Sequence, residues 1–83
     1  MTLQQIIYAV KVAETKSINK AAAELYVSQP ALSDAIGRLE KEINASIFTR
    51  SNKGIEITPE GEEFLYFARQ IVNLQKSIYQ RFL

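Results

Sequence analysis

The sequence predicts a mainly helical fold: four helices and one small β-hairpin. Three observations carry this reading. Apolar residues recur at three- and four-residue spacing through most of the chain. Thr2, Ser17, Ser28 and Thr58, all good N-cap types, each stand before such a stretch. Only the segment between Ile47 and Ile57 holds β-like runs, and these flank a polar, glycine-ended turn.

The first helix is expected from about Leu3 to Glu14. Thr2 and Gln5 have the T-x-x-Q spacing of a capping box, in which each side chain satisfies an amide left free at the helix start. Leu3, Ile6, Ile7, Val10 and Ala13 make its apolar stripe, expected in the core. The second helix is short, about Ile18 to Leu25, capped by Ser17 and with Ile18, Ala21, Ala22 and Leu25 facing inward. Adjacent alanines on a buried face let another helix cross closely. A tight turn through Tyr26 and Val27 leads to a third helix, capped by Ser28 and carrying Pro30 in its first turn, where a missing amide costs nothing.

Leu32, Ile36, Leu39 and Ile43 form the buried stripe of the third helix. Its opposite face carries Gln29, Pro30, Ser33, Asp34, Gly37, Arg38 and Lys41. Short polar groups and a glycine replace the long Glu and Lys pairs of an ordinary solvated helix. Such a face can approach another surface closely. Asn44, which tolerates the left-handed conformation, is expected to end this helix. Ile47-Phe48-Thr49-Arg50 and Ile55-Glu56-Ile57-Thr58 then form a hairpin around Ser51-Asn52-Lys53-Gly54.

Thr58 caps the last helix, Pro59 takes its first position, and Glu60, Glu62 and Glu63 complement its positive end. The pattern runs to the final residue in two stripes. One is Phe64, Phe67, Ile71, Leu74, Ile78 and Phe82; the other is Leu65, Ala68, Val72, Tyr79 and Leu83. A helix resting on its own domain needs one stripe, so the second points to another molecule.

Composition excludes several functions. The 83 residues contain no cysteine and no histidine, which removes thiol chemistry, the commonest general base and the commonest metal ligand. A serine nucleophile would need a lysine base, and the one Ser-x-x-Lys spacing, Ser17 to Lys20, opens a packed helix. There is no glycine-rich phosphate loop, and no cofactor is expected. No apolar run approaches the roughly 20 residues of a membrane span. The N-terminus lacks the features of a secretory signal, so a cytoplasmic location is the expectation. Ten Lys and Arg against nine Asp and Glu leave a net charge of +1, so a nucleic-acid binder built on this chain must place its few cations well.

Helices two and three, joined by a tight turn, have the pattern of a helix-turn-helix. That pattern alone leaves two readings open, a DNA-binding unit or a helical hairpin in a protein-interaction module. The segment Ala21-Ala22-Ala23-Glu24-Leu25-Tyr26-Val27-Ser28-Gln29-Pro30-Ala31-Leu32-Ser33 resembles the A-A-x-x-L-x-x-S-Q-P-A-x-S signature of the LysR-type transcriptional regulators. Ile36-Gly37-Arg38-Leu39-Glu40, Ile47-Phe48-Thr49-Arg50 and Ile57-Thr58-Pro59-Glu60-Gly61 are similar to the family's I-x-x-L-E, L-F-x-R and L-T-P-x-G elements, in the right order and spacing. The resemblance implies a winged helix-turn-helix domain over residues 1–58, with the helix-turn-helix at about 18–37, followed by a linker helix over 59–83 on which members dimerise. It implies the DNA-binding part of a prokaryotic regulator, without the family's effector-binding domain. Lys16 and Asn44 stand where the family often has glycine, and Asp34 stands where a polar or basic residue is usual.

Each exposed candidate then has a role at duplex DNA and an ordinary alternative. Gln29 can offer donor and acceptor together to an adenine edge, or remain a solvated first-turn residue. Ser28 caps its helix and can also meet a phosphate. Pro30 can touch a thymine methyl or only stiffen the turn. Ser33, one turn beyond Gln29, can reach base or phosphate. Asp34 can accept from a cytosine amino group or hold Arg38, which in turn can meet a phosphate or pair with Asp34. Arg50 and Lys53 on the hairpin can reach the DNA backbone, or pack and stay solvated. Dimerisation is expected through Phe64, Phe67, Ile71, Leu74, Ile78 and Phe82. An interaction module would want aromatic or aliphatic anchors on the third helix's exposed face, and Gln29, Ser33 and Asp34 are none.

Overall fold

A computed structural model describes all residues, Met1–Leu83. Its elements are α1 (Leu3–Thr15), α2 (Ile18–Leu25), α3 (Gln29–Ile43), β1 (Phe48–Ser51), β2 (Gly54–Ile57) and α4 (Pro59–Phe82). All four expected N-caps are in place. The Thr2–Gln5 capping box closes in both directions, and the Ser17, Ser28 and Thr58 hydroxyls accept from Lys20, Ala31 and Gly61 amides.

The first three helices each end on a left-handed residue that is not glycine: Lys16 (φ 53°), Tyr26 (φ 57°) and Asn44 (φ 55°). Asn44 takes the conformation its side chain favours. Lys16 and Tyr26 gain nothing of that kind, and each carries a strain of about 1–2 kcal/mol that the surrounding packing overrides.

α1 lies at the centre, packed against α2, α3 and α4. A helix with three neighbours buries a broad face, so Ala9 and Val12 join Ile6, Val10 and Ala13 in the core. Two residues of the expected α1 stripe differ: Ile7 is half-buried and Leu3 is exposed. Leu32, Leu39, Ile47 and Leu65 are fully buried, each worth about 1.5–3 kcal/mol of transfer free energy. Lys11 joins α1 to α2, with Nζ 3.3 Å from Glu24 and 3.4 Å from Glu14. The hydrogen bond to Glu24, aided by Glu14 against partial desolvation, holds this ammonium above the usual lysine range.

The hairpin differs from the local reading at both ends. Ile47 is not a strand residue; it drops into the core, and β1 begins at Phe48. Ser51 and Gly54 are paired strand residues, which shortens the turn to Asn52-Lys53. Thr58 leaves the strand to cap α4. Gly54 has φ 108°, a conformation that closes such a turn and that glycine adopts freely.

α4 has 24 residues and, at 1.5 Å each, is about 36 Å long, close to the molecule's longest dimension of 42 Å. Gly61, Leu65, Ala68 and Val72 are its buried residues, so its second half runs clear of the core. No helix is long and apolar enough to cross a membrane.

Candidate nucleic-acid interface

The exposed face of α3 and the hairpin wing lie on the same side of the domain, joined by a side-chain bond. Arg50 on β1 donates from Nη2 to Ser33 Oγ on α3 at 3.2 Å. That bond lies 17 residues across the chain. Lys16, Ser17 and Asn19 at the start of α2, Gln29 at the start of α3, and Arg50 and Ser51 on β1 line an open cleft of about 250 Å³. Local sequence reading placed Gln29 and Arg50 at a site but missed Lys16, Ser17 and Asn19. Lys16 is the left-handed C-cap of α1 and Ser17 the N-cap of α2, with their amides bonded to Val12 and Thr15, so no local signal marked them; only the cleft brings them beside Gln29.

Ser28 caps α3 with its hydroxyl 3.2 Å from the Ala31 amide and is exposed. Gln29 and Pro30 are exposed in the first turn, whereas Ser33 is half-buried beneath the Arg50 guanidinium. Arg38 Nε lies 2.9 Å from Asp34 Oδ2, and both side chains are largely exposed. In the isolated chain the Arg38–Asp34 ion pair is formed. Lys53 occupies the hairpin tip, its amide bonded to Ser51 Oγ at 3.2 Å, and its ammonium makes no ion pair.

Two residues outside the expected DNA contacts fix the wing's position. Glu40, half-buried on α3, accepts from the Ile47 amide at 2.7 Å and the Phe48 amide at 3.2 Å. Thr58 bonds to the Ser46 and Ile47 carbonyls and caps Gly61 at 2.8 Å. The wing root is therefore held between α3 and α4, which sets where Arg50 and Lys53 stand relative to α3.

Along α4, Phe67, Leu74, Ile78 and Phe82 are exposed by 60, 67, 58 and 74%, and Ile71 by 39%. Phe64 is half-buried against the core. The second stripe divides: Leu65, Ala68 and Val72 are buried, while Tyr79 and Leu83 stand exposed beyond the domain's edge. Met1, Ile6, Ile43, Phe64, Phe67 and Ile71 line an entirely apolar groove of about 240 Å³ beside α4.

Residues 3–62 match the bacterial regulatory helix-turn-helix proteins of the lysR family. The chain is 42% identical over 78 residues to the uncharacterized HTH-type transcriptional regulator YkuM of Bacillus subtilis (strain 168), covering 94% of this chain and 27% of that protein. It thus spans little more than a quarter of the curated relatives it matches, with BudR of Raoultella terrigena covered to 28% at 40% identity and 98% of this chain. Among solved structures, a complex of the CbnR DNA-binding domain with DNA superposes at TM-score 0.87 with 36% identity, covering 98% of this chain and 93% of that one. Four helices, the paired hairpin and these matches over most of the chain agree: the protein belongs to the LysR family of bacterial regulatory helix-turn-helix proteins.

Proposed function

We propose that this chain is the sequence-specific DNA-binding domain of a transcriptional regulator acting in the bacterial cytoplasm. It binds a two-fold symmetric operator as a homodimer, with α3 in the major groove and the wing on the backbone or minor groove. The observation that carries this reading is the exposed face of α3, where Gln29, Pro30 and Ser33 present short groups beside the cations Arg50 and Lys53. Short groups at Pro30, Ser33, Asp34 and Gly37 let the first turns of a helix sit deep in a groove about 12 Å wide. The relatives support it, since BudR is an HTH-type transcriptional regulator and the CbnR domain is held in a DNA complex.

Residues 1–58 supply the DNA contacts and 59–83 the dimer. Gln29 reads an adenine edge, and Ser28, Pro30 and Ser33 fix register around it. Arg50 and Lys53 neutralise phosphates, and Asp34 holds Arg38 along the groove-facing side. Phe64, Phe67, Ile71, Leu74, Ile78 and Phe82 meet the second copy. Seating the overhanging half of α4 against the partner would cover the apolar groove at Phe64 and Phe67.

Gln29→Ala is expected to cost about 1–3 kcal/mol on the preferred duplex and to flatten discrimination at one base pair per half-site. Titration of matched and single-substituted duplexes measures this; an equal loss on every sequence would assign Gln29 to the backbone.

Lys53→Ala is expected to weaken preferred and random duplexes alike. Each lost phosphate contact lowers the slope of log K against log salt by about 0.9, and a dimer loses two. Slopes parallel to wild type would leave the wing without a backbone contact through Lys53.

A further inference from the structure

Two of the three glycines are required by the fold, and the third is not. Gly54 supplies φ 108° at the hairpin turn, and Gly61 lets α4 pass against the Ile47 carbonyl. Gly37 stands inside α3, outside the positive-φ residues, and a Cβ built there meets nothing within 4 Å. A glycine inside a helix weakens it through backbone entropy. No contact within the domain offsets that loss.

Its position supplies a reason outside the domain. Gly37, half-buried like Ser33, lies one turn beyond it on the face of α3 that carries Pro30 and Asp34, away from Leu32, Ile36 and Leu39. It lies eight residues past Gln29, or about 12 Å along the helix axis, which is comparable to the width of a major groove. A helix that places Gln29 on base edges therefore carries Gly37 to the groove wall, where a sugar-phosphate strand runs. Arg38 and Lys41 follow it by one and four residues, with Arg38 held along the face by Asp34 and Lys41 free of ion pairs.

We infer that Gly37 is a clearance residue: its missing Cβ lets a duplex's sugar-phosphate strand rest against the α3 backbone, with Arg38 and Lys41 meeting its phosphates. This rests on the proposal that α3 enters the major groove, and deepens it by naming where the helix touches the groove wall. A strand backbone is common to every sequence, so the contact adds affinity and no base preference.

The test compares Gly37→Ala with the wild-type chain in thermal unfolding and in titration of preferred and random duplexes. Alanine is the better helix former, so the unfolding midpoint is expected to rise by roughly 2 to 8 °C. Affinity is expected to fall about tenfold on both duplexes as the methyl group holds the helix off the strand. A raised midpoint with unchanged or tighter binding overturns the inference, and so does a fall in midpoint and affinity together, which would place Gly37 in the fold. Loss confined to the preferred duplex also overturns it, because the neighbour would then be a base. A wild-type chain that binds no duplex overturns the proposed function and this inference with it, so the two failures are distinct.

Discussion

Gly61→Ala is expected to destabilise the domain by about 3 kcal/mol or more, lowering the unfolding midpoint by roughly 12 °C or more. A Cβ at this position would stand 2.1 Å from the Ile47 carbonyl oxygen and 2.9 Å from its carbon. Both are backbone atoms and cannot swing aside. The same carbonyl accepts the Thr58 amide at 3.0 Å, and Ile47 itself is fully buried with its own amide on Glu40. Relief must therefore come from moving α4 away or pulling Ile47 out of the core, and either motion displaces the wing root. In an unconstrained helix the same change would stabilise by up to about 1 kcal/mol, so the sign alone decides. Thermal melts of the two chains measure it, and a midpoint equal to or above wild type would contradict the close approach described above.

The second large effect concerns assembly. Glu at both Ile71 and Ile78 is expected to give a folded monomer in sedimentation. Both side chains are exposed in the isolated domain, while Leu65, Ala68 and Val72 hold α4 to α1 from the other side. The fold should therefore tolerate the charges that the paired surface cannot. A duplex carrying two half-sites should bind this variant about a hundredfold more weakly or worse, since the second half-site is no longer delivered by the first. A wild-type chain that stays monomeric at tens of micromolar, the range of association energies near about 6–7 kcal/mol, would contradict dimerisation through α4.

What local sequence conveys is visible in these same elements. The four N-caps were legible because a cap is a bond between residues three apart, as Ser28 and Ala31 show. The exposed face of α3 was legible because helical periodicity separates it from Leu32, Ile36 and Leu39 without reference to the rest of the chain. Ile47 was misread because its surroundings look β-like, whereas its place is set by a carboxylate seven residues back and by the core. The left-handed conformations of Lys16 and Tyr26 are not written in their own side chains, since neither favours that region and tertiary packing imposes it.

The candidate site was legible residue by residue, but not as an arrangement. Gln29, Ser33, Arg50 and Lys53 could each be named from type and position. The bond that ties Arg50 to Ser33 joins elements 17 residues apart, and the cleft that brings Lys16 beside Gln29 depends on how α2, α3 and the wing pack. The two alternatives for Arg38 were equal on sequence, and the 2.9 Å distance to Asp34 shows the ion pair in the isolated chain.

The central claim is that the polar face of α3 reads duplex DNA, and selection of bound sites from a random duplex pool tests it most directly. The account predicts enrichment of an inverted repeat whose half-sites lie one helical turn, or a multiple of it, apart, with Gln29→Ala losing preference at one base pair in each half. A folded chain that enriches no sequence over the starting pool would contradict it.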